Sequence, residues 1–232
     1  MIPKLSIALA LCSLLCATGG PLLARAQLIP SMVGMGLFLL SGLVGLVAIG
    51  VALVAAVRFQ AYLPAMIGVL GLLPLLAVIA TTIQSTRYPA INDITTDLES
   101  PPVFKRATEL PPNANRDMSF PAAFVEPIKV HYDDLATLPL NAAPEIAYRR
   151  ARDMATQEPF YWEITRDDEA TLTFEAIDTT RIFQWKDDII LRVRPDGETG
   201  SYVDMRSKSR DGKSDLGANA KRIRRFFEAL DY

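Results

Sequence analysis

Asp204-Met-Arg-Ser-Lys-Ser-Arg-Asp-Gly-Lys-Ser-Asp-Leu-Gly-Ala-Asn-Ala-Lys-Arg-Ile-Arg-Arg-Phe-Phe-Glu-Ala-Leu230 decides how the chain is read. The stretch predicts a strand end, a polar loop turning at Gly212, and a closing amphipathic helix. Ser214 or Asp215 is placed to cap that helix, and Leu216, Ala220, Ile223, Phe227 and Leu230 are spaced to form its buried stripe. Eight basic residues face only two acidic ones between Arg206 and Arg225, while the remainder beyond Ile83 is strongly acidic. A basic element on an acidic domain is a candidate anion site.

Working outward, short strand-like runs precede this stretch. Phe160–Thr165, Thr171–Ile177, Arg181–Trp185, Asp188–Arg194 and Ser201–Ser207 are separated by turn signals at 166–168, 178–179, 186–187 and 195–197. Phe160, Trp162 and Ile164 share one side of their run, as do Ile189, Leu191 and Val193 of theirs, so one side of the sheet is buried. Short turns imply an antiparallel meander. Pro144 opens a further helix with Glu145 in its first turn, and Pro159 stops it. The predicted class is α+β: a meander with two helices packed on its apolar face. Between Ser100 and Pro144 the chain is rich in Pro, Asn and Asp, with recurring apolar residues such as Phe104, Phe120 and Tyr132. That composition predicts extended chain wrapped over a core, and residues 88–232 read as one soluble domain with 88–143 as its wrapping segment.

The first third is different. No Asp or Glu precedes Asp93, and residues 29–57 form an apolar run long enough to cross a bilayer. Residues 62–83 form a second span, with Pro64 in its first turn and Pro74 expected to kink it. Residues 1–26 read either as a signal peptide ending at Ala24-Arg-Ala26 or as a first transmembrane helix. Cys12 and Cys16 are apolar filler there. Gly34, Ser41, Gly45, Ala48 and Ala52 line one helical face, which predicts close packing. The simplest partner is the second span, through Ala61, Ala65 and Gly68, with another membrane protein as the alternative. Arg58 marks a cytoplasmic turn, so the soluble domain is expected on the periplasmic side of the inner membrane.

Two stretches carry a resemblance. Asn92-Asp-Ile-Thr-Thr-Asp97 with Pro101-Pro102, and Arg206-Ser-x-Ser-Arg-x-Gly-Lys-Ser-Asp-Leu-Gly-x-Asn219 with Arg222-Ile223, resemble the domain of unknown function 1499 found in bacterial and plastid proteins. The likeness runs from about Tyr88 to Leu230 and implies no established activity. Asp211 and Asp133 depart from it, standing where an apolar residue and a Pro are common.

Chemistry is sparse in the sequence. His131 is the single histidine and no Cys follows Cys16, so no metal site and no cofactor are expected. Asn92, Asp93 and Asp97 read as turn and capping residues before they read as cation ligands. Ser207, Ser209 and Ser214 are candidate nucleophiles with Lys213 or His131 as base, but no spacing assembles a triad. Nucleic acid is excluded by the acidic balance. Two readings of the basic segment stand. Arg206, Ser209, Arg210, Lys213, Ser214, Asn219 and Arg222 could gather around an anion at a helix start. Alternatively, Arg206 pairs with Asp204 or Asp215 and Asn219 ties down the loop. The function expected is a membrane-anchored binding or assembly module of the cell envelope. The alternatives are an enzyme acting on an anionic envelope substrate and a purely structural partner in a membrane complex.

Overall fold

A computed structural model describes all residues except Gly71, Glu198 and Tyr232, and the side chains of all but Pro64, Ala65, Gly68 and Ser85 among the rest. The chain divides into two units, residues 1–87 with 180–184, and residues 88–179 with 185–232.

In the first unit, α1 (Ile2–Arg25) and α2 (Ser31–Phe59) form a helical hairpin. Pro30 precedes α2, and Gln60 ends it in the left-handed region, its N–H returning to the Ala55 carbonyl. Both helices are long and apolar enough to cross a membrane. Their packing is the reverse of a water-soluble bundle. Gly34, Ser41, Gly42, Gly45, Ala48 and Ala52 are buried, while Leu43, Leu46 and Leu53 point outward at 54–63% exposure. Backbones touch where residues are smallest: a Cβ on Gly20 would lie 2.5 Å from the Gly34 carbonyl oxygen. Ser13 Oγ donates to the Ser41 carbonyl at 2.8 Å within this interface.

The small-residue face of α2 was expected to meet the second span. The structure seats α1 against it at Gly34 and Ser41, leaving Gly42 to face Leu75 and Val78. The side chains of Ala65 and Gly68 lie outside the described residues. The second span itself is two helices, α3 (Tyr62–Val69) and α4 (Leu72–Ser85). Leu70 lies in a turn, and Pro74 falls in the first turn of α4, where its missing N–H leaves no helical hydrogen bond unmade.

The second unit is built on a six-stranded antiparallel sheet. β3 (Glu163–Asp168), β4 (Thr173–Thr179), β5 (Lys186–Asp196) and β6 (Gly200–Ser209) run as a meander. Two short strands share the outer edge of β6: β1 (Asp93–Thr95) pairs with Arg206–Lys208, and β2 (Leu138–Leu140) with Ser201–Val203. The run 181–185 is a turn where a strand was expected, and β5 begins at Lys186 where a turn was expected. Within that run Phe183 packs on Phe38 of α2.

Period-two alternation gives the sheet two unlike faces. Phe174, Ala176, Ile189, Leu191, Val193, Val203 and Met205 form the apolar one. It packs against α7 (Pro144–Thr156) and α8 (Ala218–Leu230), whose Ile223, Phe226 and Leu230 are fully buried. Phe226 stacks on Trp162 with centroids 4.6 Å apart, and Phe160 meets both edge-on. Leu216 is exposed, contrary to the expected stripe, because α8 starts after Gly217 and leaves Leu216 in the preceding turn.

The opposite face carries Asp93, Glu175, Asp188, Ile190, Arg192, Asp204, Arg206 and Lys208. The segment after Asp97 covers it, and Phe104, Ala107 and Met118 close on Ile190. This strap is not fully extended. It contains short helices α5 (Arg106–Glu109) and α6 (Val125–His131), with 3-10 turns at 111–113 and 122–124.

Since the apolar core lies within residues 88–232, a chain beginning near Arg87 should fold in the absence of detergent, with cooperative urea unfolding. Phe226→Ala should lower its stability by about 3–5 kcal/mol. Aggregation with no cooperative transition would show that the helical hairpin completes the core.

Candidate functional site

The charged sheet face is organised by Arg206, which is 1% exposed. Its position in β6 opposite Thr95 of β1 places Asp93 within reach on the same face. Arg206 Nε and Nη2 donate to the two Asp93 carboxylate oxygens at 2.9 and 2.8 Å. Its remaining hydrogen bonds go to the carbonyls of Pro102 and Met118 at 3.1 and 2.9 Å. The Phe104 and Phe120 rings lie 4.8 and 5.4 Å from the guanidinium carbon. Lys208 Nζ also donates to Asp93, at 2.8 Å. Two cations on one carboxylate leave an excess positive charge, and the strap's carbonyls and ring faces absorb it.

Neighbouring carboxylates are held in the same manner. Glu175, fully buried, accepts the backbone N–H groups of Lys105, Arg106 and Ala107 at 2.8–2.9 Å and so caps α5. Asp188 takes Arg210 through Nε and Nη2 and Asn113 Nδ2 at 2.9 Å. Asp204 accepts from Thr137 at 2.5 Å, Arg192 at 2.9 Å and Arg194 at 2.8 Å. Arg192 and Arg194 reach on to Asp97, whose other oxygen closes a turn with the N–H groups of Glu99 and Ser100. Burial opposes ionisation of Asp204, but the hydrogen bonds from Arg194, Thr137 and Arg192 outweigh it and hold its carboxyl below the usual range.

A second network lies at the end of the apolar face. Asn219 Oδ1 accepts from Ser207 and Arg222, and its Nδ2 donates to Ser209 Oγ and the Asn92 carbonyl. Arg222 bridges Asp178 at 2.7 Å and Asp187. Asp215 accepts the N–H groups of Gly217 and Asn219 at 2.9 and 2.8 Å, so the first turn of α8 is capped by the chain's own carboxylate. Burial raises the Asp215 pKa, those N–H groups offset part of the rise, and the Asp187 charge adds to it.

The seven residues proposed for an anion are thus divided. Arg206 lies on the strap side of the sheet and Arg210 is clamped to Asp188. Ser209, Asn219 and Arg222 belong to the second network. Ser214 turns inward to the Pro89 carbonyl at 3.4 Å, while Lys213 is exposed in the loop. The expected partners of Arg206 were Asp204 and Asp215; the partner is Asp93. Asp204 shares a face with Arg206 but sits two residues along the same strand, and it is taken by Arg192 and Arg194. Glu175, Asp188, Arg192, Arg194 and Thr137 were not foreseen. The alternation in β5 held the signal for three of them, since Asp188, Arg192 and Arg194 occupy the positions opposite in phase to Ile189, Leu191 and Val193.

Two further features remain. Tyr132 Oη is buried without a hydrogen-bond partner among the described residues; burial and the Asp215 charge push its pKa up to about 12. A groove of about 360 Å³ runs between residues 134–138 and the C-terminal end of α8. Leu135, Leu138 and Phe227 line it, with Asp134, Arg224, Glu228 and Asp231 around them. Among the described residues, no group of three or more His, Cys, Asp or Glu side chains is placed to hold a metal ion.

Fold and networks together define the class: an α+β scaffold whose sheet has one apolar and one charged face, the latter sealed by a Pro-rich strap. The chain belongs to the family described as protein of unknown function (DUF1499), which matches residues 93–230. No curated protein and no solved structure matches the chain. The two stretches that resemble this family are each other's partners. Asp93 binds Arg206 and Lys208, Asn92 binds Gly212 and Asn219, and Thr96 exchanges hydrogen bonds with Met205.

Arg206→Ala should cost roughly 3–5 kcal/mol of unfolding free energy, because it removes the bidentate partner of the buried Asp93 carboxylate, leaving Lys208 alone on it, and strips the Pro102 and Met118 carbonyls of their donor. In a double-mutant cycle, Asp93→Ala and Arg206→Ala should be non-additive by about 0.5–3 kcal/mol. Additive losses below about 1 kcal/mol each would reduce the pair to a surface contact.

Asp204 gives a pH signature. Its folded pKa lies below the unfolded value of about 3.9, so the folded state binds fewer protons and stability rises with pH in that range. The contribution is complete above the unfolded value and disappears as pH falls through the folded one. Asp204→Asn should therefore be destabilising at neutral pH, and the gap from the parent should narrow as pH falls below the unfolded value. A constant gap in urea titrations across that range would remove Asp204 from the acid response.

Proposed function

We propose that the protein is a membrane-anchored binding or assembly module of the cell envelope, with its α+β domain on the periplasmic side of the inner membrane. The observation that carries this reading is the saturation of the two family motifs by one another. Arg206, Asp93, Asn219 and Arg222 direct their polar atoms into the protein, so the motifs act as framework and the outer surface is what meets a partner. The groove between residues 134–138 and α8 offers that surface, with an apolar floor and a charged rim. Anchoring is supported by α1 and α2, whose large apolar side chains face outward and small ones inward. The placement of Arg58 in the turn after α2, with Lys4 at the start of α1, supports the orientation.

In spheroplasts of a variant lacking Cys12 and Cys16, Asp196→Cys should react with a membrane-impermeant thiol reagent before lysis. Labelling only after lysis would put the domain in the cytoplasm. A photoreactive residue replacing Glu228 should give a discrete protein adduct in membranes, and Ala136→Arg, which obstructs the groove from its exposed rim, should abolish it. Adduct formation unchanged by Ala136→Arg would remove the groove from the reading. Sulfate should raise the melting temperature no more than chloride at equal ionic strength. A sulfate-specific gain lost in Lys213→Ala would instead establish anion recognition by the exposed end of the loop.

A further inference from the structure

The connection between β4 and β5, Thr180–Gln184, groups with the N-terminal helices although it joins two strands of the sheet. Its sequence, Arg181-Ile-Phe-Gln-Trp185 with the first residue of β5 next, has a basic residue, two apolar residues and a flanking tryptophan. Phe183 packs edge-on against Phe38 of α2 with centroids 6.2 Å apart. Ser31 Oγ, at the start of α2, donates to the Gln184 carbonyl at 3.3 Å. Ile182 at the apex is 59% exposed. The turn also satisfies its own backbone: Gln184 Nε2 donates to the Thr180 and Arg181 carbonyls at 3.0 and 3.3 Å, and the Gln184 N–H to Thr180 at 3.2 Å.

The depth of this turn follows from helix geometry. The 29 residues of α2 extend about 43 Å at 1.5 Å each, the full thickness of a bilayer with its headgroups. Phe38 lies two turns below Ser31, on the order of 10 Å along the axis, near the boundary between headgroups and acyl chains. Phe183, packed on Phe38, shares that level. An exposed Ile beside it loses apolar burial in water and gains it among acyl chains. Arg181 at the margin suits the same layer, where a cation reaches phosphates. The carbonyls of Thr180, Arg181 and Gln184, each hydrogen-bonded, meet the requirement that low-polarity surroundings place on such groups.

We propose that the β4–β5 turn is an interfacial lipid-binding element: Ile182 and Phe183 enter the headgroup–acyl boundary, and Arg181 contacts the phosphates of the same leaflet. The inference rests on the reading of α1 and α2 as membrane-spanning, and the experiment separates the two. The full chain, with Cys12 and Cys16 replaced by Ala, carries an environment-sensitive fluorophore on Ile182→Cys in phosphatidylcholine–phosphatidylglycerol vesicles. Expected are blue-shifted emission, stronger quenching by lipids with a nitroxide near the headgroup than by lipids with one near the chain end, and protection from aqueous iodide. Leu46→Cys, midway along α2, serves as the second position and should be quenched most by the deep nitroxide. If the probe at 182 is open to iodide and indifferent to both lipids while that at 46 responds as expected, the interfacial element is overturned and the span stands. If the probe at 46 ignores the deep nitroxide, the span fails and the proposal with it.

Discussion

A buried carboxylate shared by two cations is the constraint on which the α+β unit depends. Asp93 has no exposure to solvent and holds both Arg206 and Lys208. A charge in that position is tolerable only when it is paired and its remaining hydrogen-bonding capacity is met. Satisfying it requires β1 beside β6, the strap carbonyls of Pro102 and Met118 above Arg206, and two phenylalanine rings around the guanidinium. Those requirements bring together parts of the chain separated by more than a hundred positions. The pair contributes less by its net energy than by penalising every arrangement in which one partner is left alone.

The same logic accounts for the sheet's two faces. Helices α7 and α8 cover the apolar face by ordinary hydrophobic burial. The charged face cannot be covered by apolar residues alone, so it is sealed by a segment rich in backbone groups free to bond. Proline breaks regular structure in that segment, leaving carbonyls and N–H groups available for Arg206, Glu175 and Arg192. Glu175 takes three consecutive N–H groups of the strap, and Arg192 takes the Ser100 carbonyl. The helical unit inverts this pattern: its small residues face inward and its leucines outward, an arrangement suited to surroundings as apolar as the side chains.

Much of the fold was legible because it rests on local patterns. Ile189, Leu191 and Val193 declare a strand with one buried side, Pro144 a helix start, and residues 29–57 a long apolar helix. Errors arose where a local pattern served a distant partner. Phe183 lies in a run of strand composition but packs on Phe38 of α2, and Leu216 fits the period of α8 but precedes its first turn. The candidate site was legible in its residues and not in its arrangement. Arg206, Ser209, Arg210, Asn219 and Arg222 are all engaged, yet they fall on both sides of one sheet.

By itself, the sequence determined the apolar N-terminal third, the α+β class, the meander and the importance of the basic segment. These follow from hydropathy, period-two alternation and turn chemistry, which act between near neighbours. Only the tertiary structure decided which carboxylate each arginine binds. Asp93, Asp204 and Asp215 are chemically equivalent in the sequence, and charge attracts without regard to chain position. Strand register selects among them: pairing Thr95 with Arg206 puts Asp93 in reach, Arg192 and Arg194 claim Asp204, and the first turn of α8 claims Asp215.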